Sequence, residues 1–135
     1  MIETLERLDS LVPVPQDHAR ATLAPRLKKE DGWLRWSDRA RDLANRVRGC
    51  NPWPGAAAMT PAGRLLIWRA AALELGAAAE PGMLAEIGGR VAIATGEGVL
   101  CPVTVQPESR KAVTWEEFLR GARLGPGTRL TEVAA

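Results

Sequence analysis

The sequence predicts a mostly β fold in which a small, open antiparallel barrel is flanked by helices. From residue 56 onward, short segments of alternating apolar and polar residues are separated by glycine and proline turns, as is typical of antiparallel strands. One helical pattern with a single apolar face precedes them, and a stretch without strong periodicity lies further upstream. We therefore expect an N-terminal helix and linker arm over residues 1–31 and a barrel domain over residues 32–135.

Composition excludes several functional classes. The chain has 135 residues, enough for one domain with a real core. Its first nine positions are rich in charge and no apolar run approaches about 18 residues, so we expect neither a signal peptide nor a membrane segment. Cys50 and Cys101 form no CxxC pair and His18 is the only histidine. These features predict reduced thiols, no metal site and a cytoplasmic protein.

The first 31 residues predict a helix followed by an extended arm. Ile2, Leu5 and Leu8 recur at helical spacing, so we expect a short amphipathic helix that ends near Ser10. The alternating prolines of residues 12–15 favour an extended, semi-rigid conformation. We expect residues 16–31 to be a linker that packs along another surface.

The clearest helical pattern lies between residues 37 and 48. Ser37 is the expected N-cap, with Asp38 in the first turn, and Asp42 is spaced to pair with Arg46. The expected buried face consists of Ala40, Leu43, Ala44 and Val47. Residues 20–48 carry nine basic and four acidic side chains, a net charge of +5. This charge indicates either a surface that faces a polyanion or a solvated helix face.

A proline-rich corner, which we call the elbow, follows this helix over residues 48–55. It contains Arg48, Asn51, Pro52, Trp53, Pro54 and Gly55. The prolines fix φ and push the residues before them toward extended geometry, and a glycine can supply a positive φ. We predict a stiff corner in which Trp53 is tucked against the core and Arg48 donates hydrogen bonds to loop carbonyls.

The hydrophobic period changes to two after the elbow. The expected strands are Ala56–Thr60, Arg64–Leu73, Met83–Ile87, Arg90–Thr95 and Val99–Gln106. The first two are joined by a turn at residues 60–63 and the next two by Gly88-Gly89, while residues 75–80 form a connection. Five such strands favour a barrel of the oligonucleotide-binding type, with a sandwich as the alternative.

The fifth strand and the chain after it carry more specific signals. In that strand Val99, Cys101, Val103 and Val105 are expected to share one buried face. Pro102 suggests that the strand lies at an edge or contains a bulge. Thr114 and Glu117 have the spacing of a capping box that opens a helix through Arg120, and a last short strand is expected over residues 128–130.

A set of motifs in this order resembles the C-terminal domain of methionyl-tRNA formyltransferase. They are Pro15-Gln16, Ala24-Pro25, Lys28-Lys29-Glu30-Asp31, Trp36, the elbow, Thr95-Gly96-Glu97-Gly98 and Gln106. The resemblance runs from about Ile2 to Leu130, and the elbow is its most specific part because related formyltransferases have other residues there. Arg35 stands where the family usually has an acidic residue, so no role of that carboxylate is carried over.

The resemblance implies an open, oligonucleotide-binding-type barrel joined by a linker to a Rossmann-like N-terminal catalytic domain. The whole enzyme transfers a formyl group from 10-formyltetrahydrofolate to methionyl initiator tRNA. The folate site and the Asn-His-Asp catalytic set belong to the N-terminal domain, which this chain lacks. We therefore expect a fragment without catalytic residues or cofactor of its own, whose partner is initiator methionyl-tRNA.

Basic side chains are the expected tRNA contacts, because acceptor-stem RNA offers a dense phosphate backbone and a shallow minor groove. Lys28-Lys29 matches a lysine pair typical of the family linker, and Arg110-Lys111 matches its Gly-Lys-Lys loop. Weaker candidates are Arg39, Arg41, Arg46, Arg123 and Arg129. The alternative is an accessory docking domain of a formyltransferase that acts on a nucleotide sugar or a folate, in which these residues only keep the surface soluble.

Overall fold

The computed structural model describes residues 2–76 and 79–134. Its helices are α1 (Ile2–Glu6), α2 (Ala40–Gly49) and α3 (Trp115–Ala122), with short 3-10 turns at Leu8–Ser10, His18–Arg20 and Lys29–Gly32. Its strands are β1 (Ala56–Thr60), β2 (Gly63–Leu73), β3 (Leu84–Ile87), β4 (Arg90–Ala94), β5 (Val99–Pro107) and β6 (Val113–Thr114). The predicted class, mostly β with flanking helices, is confirmed.

All strand pairs are antiparallel, and they form one sheet in the order β1-β2-β5-β4-β3 with β6 beside β5. The sheet does not close through pairing of its outer strands within the described residues, so the predicted open barrel is confirmed. The strand predicted over residues 128–130 is wrong. Arg129 instead bridges Met83 beside β3 and Thr131 bridges Met59 in β1, so this segment spans the gap between the outer strands.

Both predicted hairpins are confirmed, because their turns depend on local chemistry. Thr60 pairs with Gly63 across Pro61 and Ala62, and the Thr60 hydroxyl accepts a 3.0 Å hydrogen bond from the Ala62 N–H. The second turn has φ of +58° and +77° at Gly88 and Gly89, which suits a primed two-residue turn. The connection predicted over residues 75–80 includes Ala77 and Ala78, which lie outside the described residues.

The predicted buried face of β5 is only partly correct, since Val99 and Val105 are fully buried but the two residues between them on that face are not. Leu100 and Pro102 are buried, whereas Val103 is 44% exposed and Cys101 is half-buried. The cause is a pair of register shifts against β2, between Ile67 and Arg69 and between Arg69 and Ala70, which interrupt the alternation of sides. Pro102 therefore lies at an irregularity, as predicted, but in a central strand rather than at an edge.

The start of α2 also differs from the prediction. The helix begins at Ala40 with Arg39 as N-cap, and the Ala40 N–H donates to the Glu97 carbonyl at 2.9 Å. Ser37 is not the cap, because the turn before the helix packs against another loop. The Gly96 N–H donates to the carbonyls of Trp36 and Asp38, and a Cβ on Gly96 would lie 1.9 Å from the Ser37 oxygen.

The core lies between the sheet and two helices. The four residues predicted for the inner face of α2 are buried, and Leu43, Ala44 and Val47 join a cluster that includes Leu65, Ile67 and Trp36. Helix α3 begins with the predicted capping box and contributes Trp115 and Phe118, whose rings stack at 5.7 Å. Thus α2 and α3 are both held by packing rather than by isolated helix propensity.

The arm is formed as predicted at its start, with α1 followed by a short 3-10 turn that ends at Ser10. The expected packing of residues 16–31 along another surface is seen at the end of this stretch, where the Asp31 carbonyl accepts a 3.3 Å hydrogen bond from Arg46. All described residues from 2 to 31 are exposed, including the apolar side chains Ile2, Leu5 and Leu23.

Candidate nucleic-acid interface

The end of the arm is anchored to the elbow. Gly32 is buried there, and a Cβ at this position would lie 2.1 Å from the Gly55 carbonyl oxygen. Immediately beyond it Trp33 bridges Ala57, and the Leu34 N–H donates to the Ala57 carbonyl at 3.0 Å. The segment that carries Lys28 and Lys29 therefore leaves the barrel from a fixed point.

Lys28 and Lys29 form the first exposed cationic pair. The Lys28 backbone N–H donates to the Asp31 carboxylate at 2.6 Å, which closes the short turn that follows. Both lysines are exposed, and within residues 2–76 and 79–134 no carboxylate lies within 4.0 Å of either ammonium group. Their charges are available to an external anion.

Arg46 has a different environment from the other candidates. Its Nη2 lies 3.8 Å from the Asp38 carboxylate, and its Nη1 donates to the carbonyls of Asp31 and Trp33 at 3.3 and 3.4 Å. The predicted pair with Asp42 is therefore wrong. Arg46 therefore holds the end of the arm against α2.

The remaining weaker candidates are exposed but differ in their partners. Arg39 pairs with Glu97 and Arg129 pairs with Glu80, both at 3.1 Å. Arg41 lies on the solvent side of α2 and Arg123 ends α3 with φ of +55°. Neither has a carboxylate within 4.0 Å among the residues that the structure describes.

The basic loop, which we define as residues 108–112 between β5 and β6, carries Arg110 and Lys111. Both side chains are exposed and, in the described part of the chain, lie beyond 4.0 Å of any carboxylate. The loop is a tight turn: the Arg110 N–H donates to the Pro107 carbonyl at 3.1 Å, and Ser109 has a φ of +60°. It presents a second cationic pair on a compact main chain.

A cleft of about 600 Å³ lies beside the basic loop. The β1–β2 turn, the basic loop and α3 line it, with Phe118 and Gly121 among its residues. Glu117 also lines it, but its carboxylate accepts hydrogen bonds from the Thr114 N–H and hydroxyl at 2.9 and 3.0 Å. The backbone bond, followed by the hydroxyl bond, lowers the pKa of Glu117, so this carboxylate is ionised within its helix cap.

The elbow is only partly as predicted. Gly55 supplies a φ of +82°, and the Asn51 side-chain amide donates to the Trp68 carbonyl at 3.2 Å, which ties the elbow to β2. Trp53 is not tucked against the core, since it is 55% exposed. Arg48 hydrogen-bonds the side chain of Asn45 rather than loop carbonyls.

The two thiols have no feature of a reactive site. Burial raises the pKa of Cys50 and of Cys101, which disfavours the thiolate. Across residues 2–76 and 79–134 we find no cluster of histidine, cysteine or acidic side chains arranged to hold a metal ion. In the same residues no helix has both the length and the apolar content to cross a membrane.

Sequence reasoning missed the connection between the elbow and the basic loop. Trp68 lies between them: its carbonyl accepts from Asn51, and its indole N–H donates to the Gln106 side chain at 2.9 Å. The contact between Trp68 and Gln106 lies where β2 and β5 change register, so no local sequence pattern predicts it.

Together, the fold and these surfaces define a small open-barrel domain that displays exposed cationic pairs at the end of its arm and on one loop. The chain belongs to the formyltransferase C-terminal domain family, described as "Formyl transferase, C-terminal domain", whose pattern matches residues 26–123. The resemblance seen in the motifs is thereby confirmed.

Curated relatives carry the name methionyl-tRNA formyltransferase. The protein of that name from Deinococcus radiodurans is 40% identical over 131 residues, which covers 96% of this chain and 40% of the relative. The Solibacter usitatus protein is 40% identical over 134 residues, which covers 98% of this chain and 43% of the relative. The chain thus spans about two fifths of the length of these relatives.

Solved structures show the same fold at low sequence identity. HypX from Aquifex aeolicus, in complex with tetrahydrofolic acid, superposes with a TM-score of 0.57 and 20% identity over 87% of this chain and 22% of that one. A multiply substituted HypX variant gives a TM-score of 0.58 and 21% identity, covering 89% of this chain and 23% of that one. These similarities support the architecture described above.

Proposed function

We propose that this chain is the tRNA-binding C-terminal part of a methionyl-tRNA formyltransferase. In the whole protein it would be joined to an N-terminal catalytic domain that binds 10-formyltetrahydrofolate, and it would act on initiator methionyl-tRNA in the cytoplasm during translation initiation. Its own task is to hold the tRNA while the catalytic domain transfers the formyl group.

The observation that carries this proposal is the pair of exposed, unpaired cationic sites. Lys28-Lys29 and Arg110-Lys111 lie outside ion pairs within the described residues, whereas Arg39, Arg46 and Arg129 are paired with carboxylates. Cations without internal partners can displace the counterions of a phosphate backbone without breaking protein contacts. Both pairs also project from anchored main chain, which reduces the ordering cost of binding.

The direct test is a salt titration of initiator tRNA binding to the 135-residue chain. If four cations engage phosphates, the slope of log K against log salt is expected to be about −3, so that affinity falls about 60-fold between roughly 50 and 200 mM salt. Flat binding that is equal for every RNA, or no binding at the lowest salt, would contradict the proposal.

The same titration separates this function from a docking domain of a formyltransferase with a non-RNA substrate. A docking domain has no requirement for free cations, so it is not expected to bind initiator tRNA with a steep dependence on salt. An elongator tRNA of equal length serves as the control for sequence. A similar salt slope is expected because the phosphate backbone and overall shape are shared, and a weaker affinity is expected only if base contacts contribute.

A further inference from the structure

The side chain of Gln106 bridges two parts of the molecule that are distant in sequence. Its Oε1 accepts a 2.9 Å hydrogen bond from the indole Nε1–H of Trp68 in β2. Its Nε2 donates a 2.7 Å hydrogen bond to the backbone carbonyl of Arg110 in the basic loop. Gln106 therefore connects the irregular part of β2 to the loop that carries the second cationic pair.

The two partners fix the orientation of the Gln106 amide. An indole N–H can only donate and a backbone carbonyl can only accept. The amide oxygen must therefore face Trp68, and the amide nitrogen must face Arg110. If the amide were flipped, its N–H group would face the indole N–H of Trp68 and its oxygen would face the Arg110 carbonyl, so both hydrogen bonds would be lost. The bond to Trp68 therefore orients the amide N–H that holds the loop.

The bond to Gln106 completes the fixation of the Arg110 main chain. The Arg110 N–H already donates to the Pro107 carbonyl at 3.1 Å, and its carbonyl accepts from Gln106. With both backbone groups engaged, the side chains of Arg110 and Lys111 project from a defined position. Less conformational freedom is then lost when an anion binds.

The same tryptophan is tied to the elbow. Its carbonyl accepts a 3.2 Å hydrogen bond from the Asn51 side chain, and the ring edge lies 3.6 Å from where a Cβ on Gly55 would be. A continuous set of contacts thus runs from the elbow through Trp68 and Gln106 to the backbone of Arg110.

We propose that Gln106 is a positioning residue, oriented by Trp68, that holds the basic loop in its phosphate-binding conformation. The RNA part of this proposal rests on the proposed function, whereas the loop-holding part can be measured in the free protein. The Gln106 side chain acts through the Arg110 carbonyl and does not itself bind phosphate.

The first experiment compares the wild-type chain with Gln106→Leu, which removes both hydrogen bonds and keeps similar bulk. We expect amide hydrogen exchange at Arg110 to be about three to ten times faster, as is typical of the loss of one intramolecular hydrogen bond. Initiator tRNA affinity is expected to fall by a similar factor while the salt slope is retained, because the cations are still present. Arg110→Ala with Lys111→Ala would instead reduce the slope.

Two further variants separate positioning from general stability. Trp68→Phe removes the donor to Gln106 and is expected to have an intermediate effect on Arg110 exchange. Trp115→Phe is the matched control, because it also removes an indole hydrogen bond, the 2.7 Å bond to the Val91 carbonyl, without touching Gln106. Trp115→Phe is expected to lower the free energy of unfolding. Once that loss is taken into account, the rate of amide hydrogen exchange at Arg110 is expected to be unchanged.

The outcomes distinguish this inference from the proposed function. Faster Arg110 exchange in Gln106→Leu supports the positioning role even if the wild-type chain binds no tRNA, and in that case only the proposed function fails. Unchanged Arg110 exchange in Gln106→Leu overturns the inference whatever the RNA result. If Gln106→Leu does not fold, Trp68→Phe decides by the same measurement.

Discussion

The guanidinium of Arg46 lies 3.8 Å from the carboxylate of Asp38, two residues before α2 begins. The same side chain donates to two backbone carbonyls at the end of the arm. Arg46 is thus a structural clamp between the helix and the segment that carries Lys28 and Lys29, although it belongs to the most basic region of the sequence.

We expect Arg46→Ala to lower the free energy of unfolding by about 1 to 2 kcal/mol, because two hydrogen bonds from a charged donor are lost, one of them to the partly buried carbonyl of Trp33. Denaturant unfolding measures this change. Arg41→Ala, on the exposed side of the same helix, is the control and is expected to stay within about 0.5 kcal/mol. Equal stability losses for the two variants would show that Arg46 is not a clamp.

Neutralising the unpaired cations is expected to weaken tRNA binding without unfolding the protein. For Lys28→Ala with Lys29→Ala, and for Arg110→Ala with Lys111→Ala, we expect the magnitude of the salt slope to fall by about 1.4 to 1.8, which is about 0.7 to 0.9 per lost phosphate contact. The melting temperature is expected to be nearly unchanged because exposed charges contribute little to stability. Both are measured by salt titration and thermal unfolding.

The control for this prediction is Arg39→Ala with Arg129→Ala. These two side chains are already paired with Glu97 and Glu80, so they are expected to contribute less to phosphate binding. If the control pair reduced the salt slope as much as the free pairs, the distinction between paired and unpaired cations would be wrong.

Two glycine-to-alanine substitutions are expected to have opposite signs. Gly32→Ala places a Cβ 2.1 Å from the Gly55 carbonyl oxygen, a backbone atom, so we expect a loss of about 1 to 3 kcal/mol. Gly121→Ala lies within α3 with no heavy atom within 4 Å of the added Cβ, so we expect a gain of about 0.5 to 1 kcal/mol. Thermal unfolding of the two variants measures both signs, and a stabilised Gly32→Ala protein would refute the anchoring of the arm at the elbow.

The cap of α3 is expected to make stability depend on pH in the acidic range. Hydrogen bonds from Thr114 lower the folded-state pKa of Glu117 below its ordinary value of 4.5. The contribution of the carboxylate is therefore fully present above pH 4.5 and is lost as the pH falls through the folded pKa. The difference in unfolding free energy between wild type and Glu117→Gln is expected to be constant near neutral pH and to shrink below about pH 4.5.

Glu116→Gln is the matched control in the same helical turn, since no side-chain hydrogen bond of Glu116 occurs among the described residues. Its difference from wild type is expected to show less dependence on acidic pH. A Glu117→Gln difference that stayed constant down to pH 2.5 would contradict the role of the ionised carboxylate.

Features with local causes could be predicted from the sequence. The Gly88-Gly89 turn and the Thr114 capping box depend on residues within a few positions of each other, and both occur where expected. Features set by tertiary contacts could not. The approach of Gly96 to Ser37 displaces the helix start, and the register shifts beside Trp68 change which residues of β5 are buried.

The candidate site divides in the same way. The exposed lysine pair and basic loop follow from charge and from the resemblance of their motifs to the family. The role of Arg46 depends on Asp31, which is 15 residues away in sequence. The role of Gln106 depends on Trp68, which is 38 residues away. Composition cannot distinguish an arginine that is bound to backbone carbonyls from one that is free, because the difference depends on tertiary contacts.

The segment around Arg129 and Thr131 occupies backbone positions at both outer strands of the sheet. Outer strands of a sheet normally offer unpaired backbone groups to neighbouring molecules and promote aggregation. Here the Met59 N–H and carbonyl pair with Thr131 on the β1 side, and the Leu84 N–H donates to the Thr128 carbonyl on the β3 side. A single short segment therefore pairs with part of each outer strand, so we expect fewer backbone groups to be open there to edge-to-edge association.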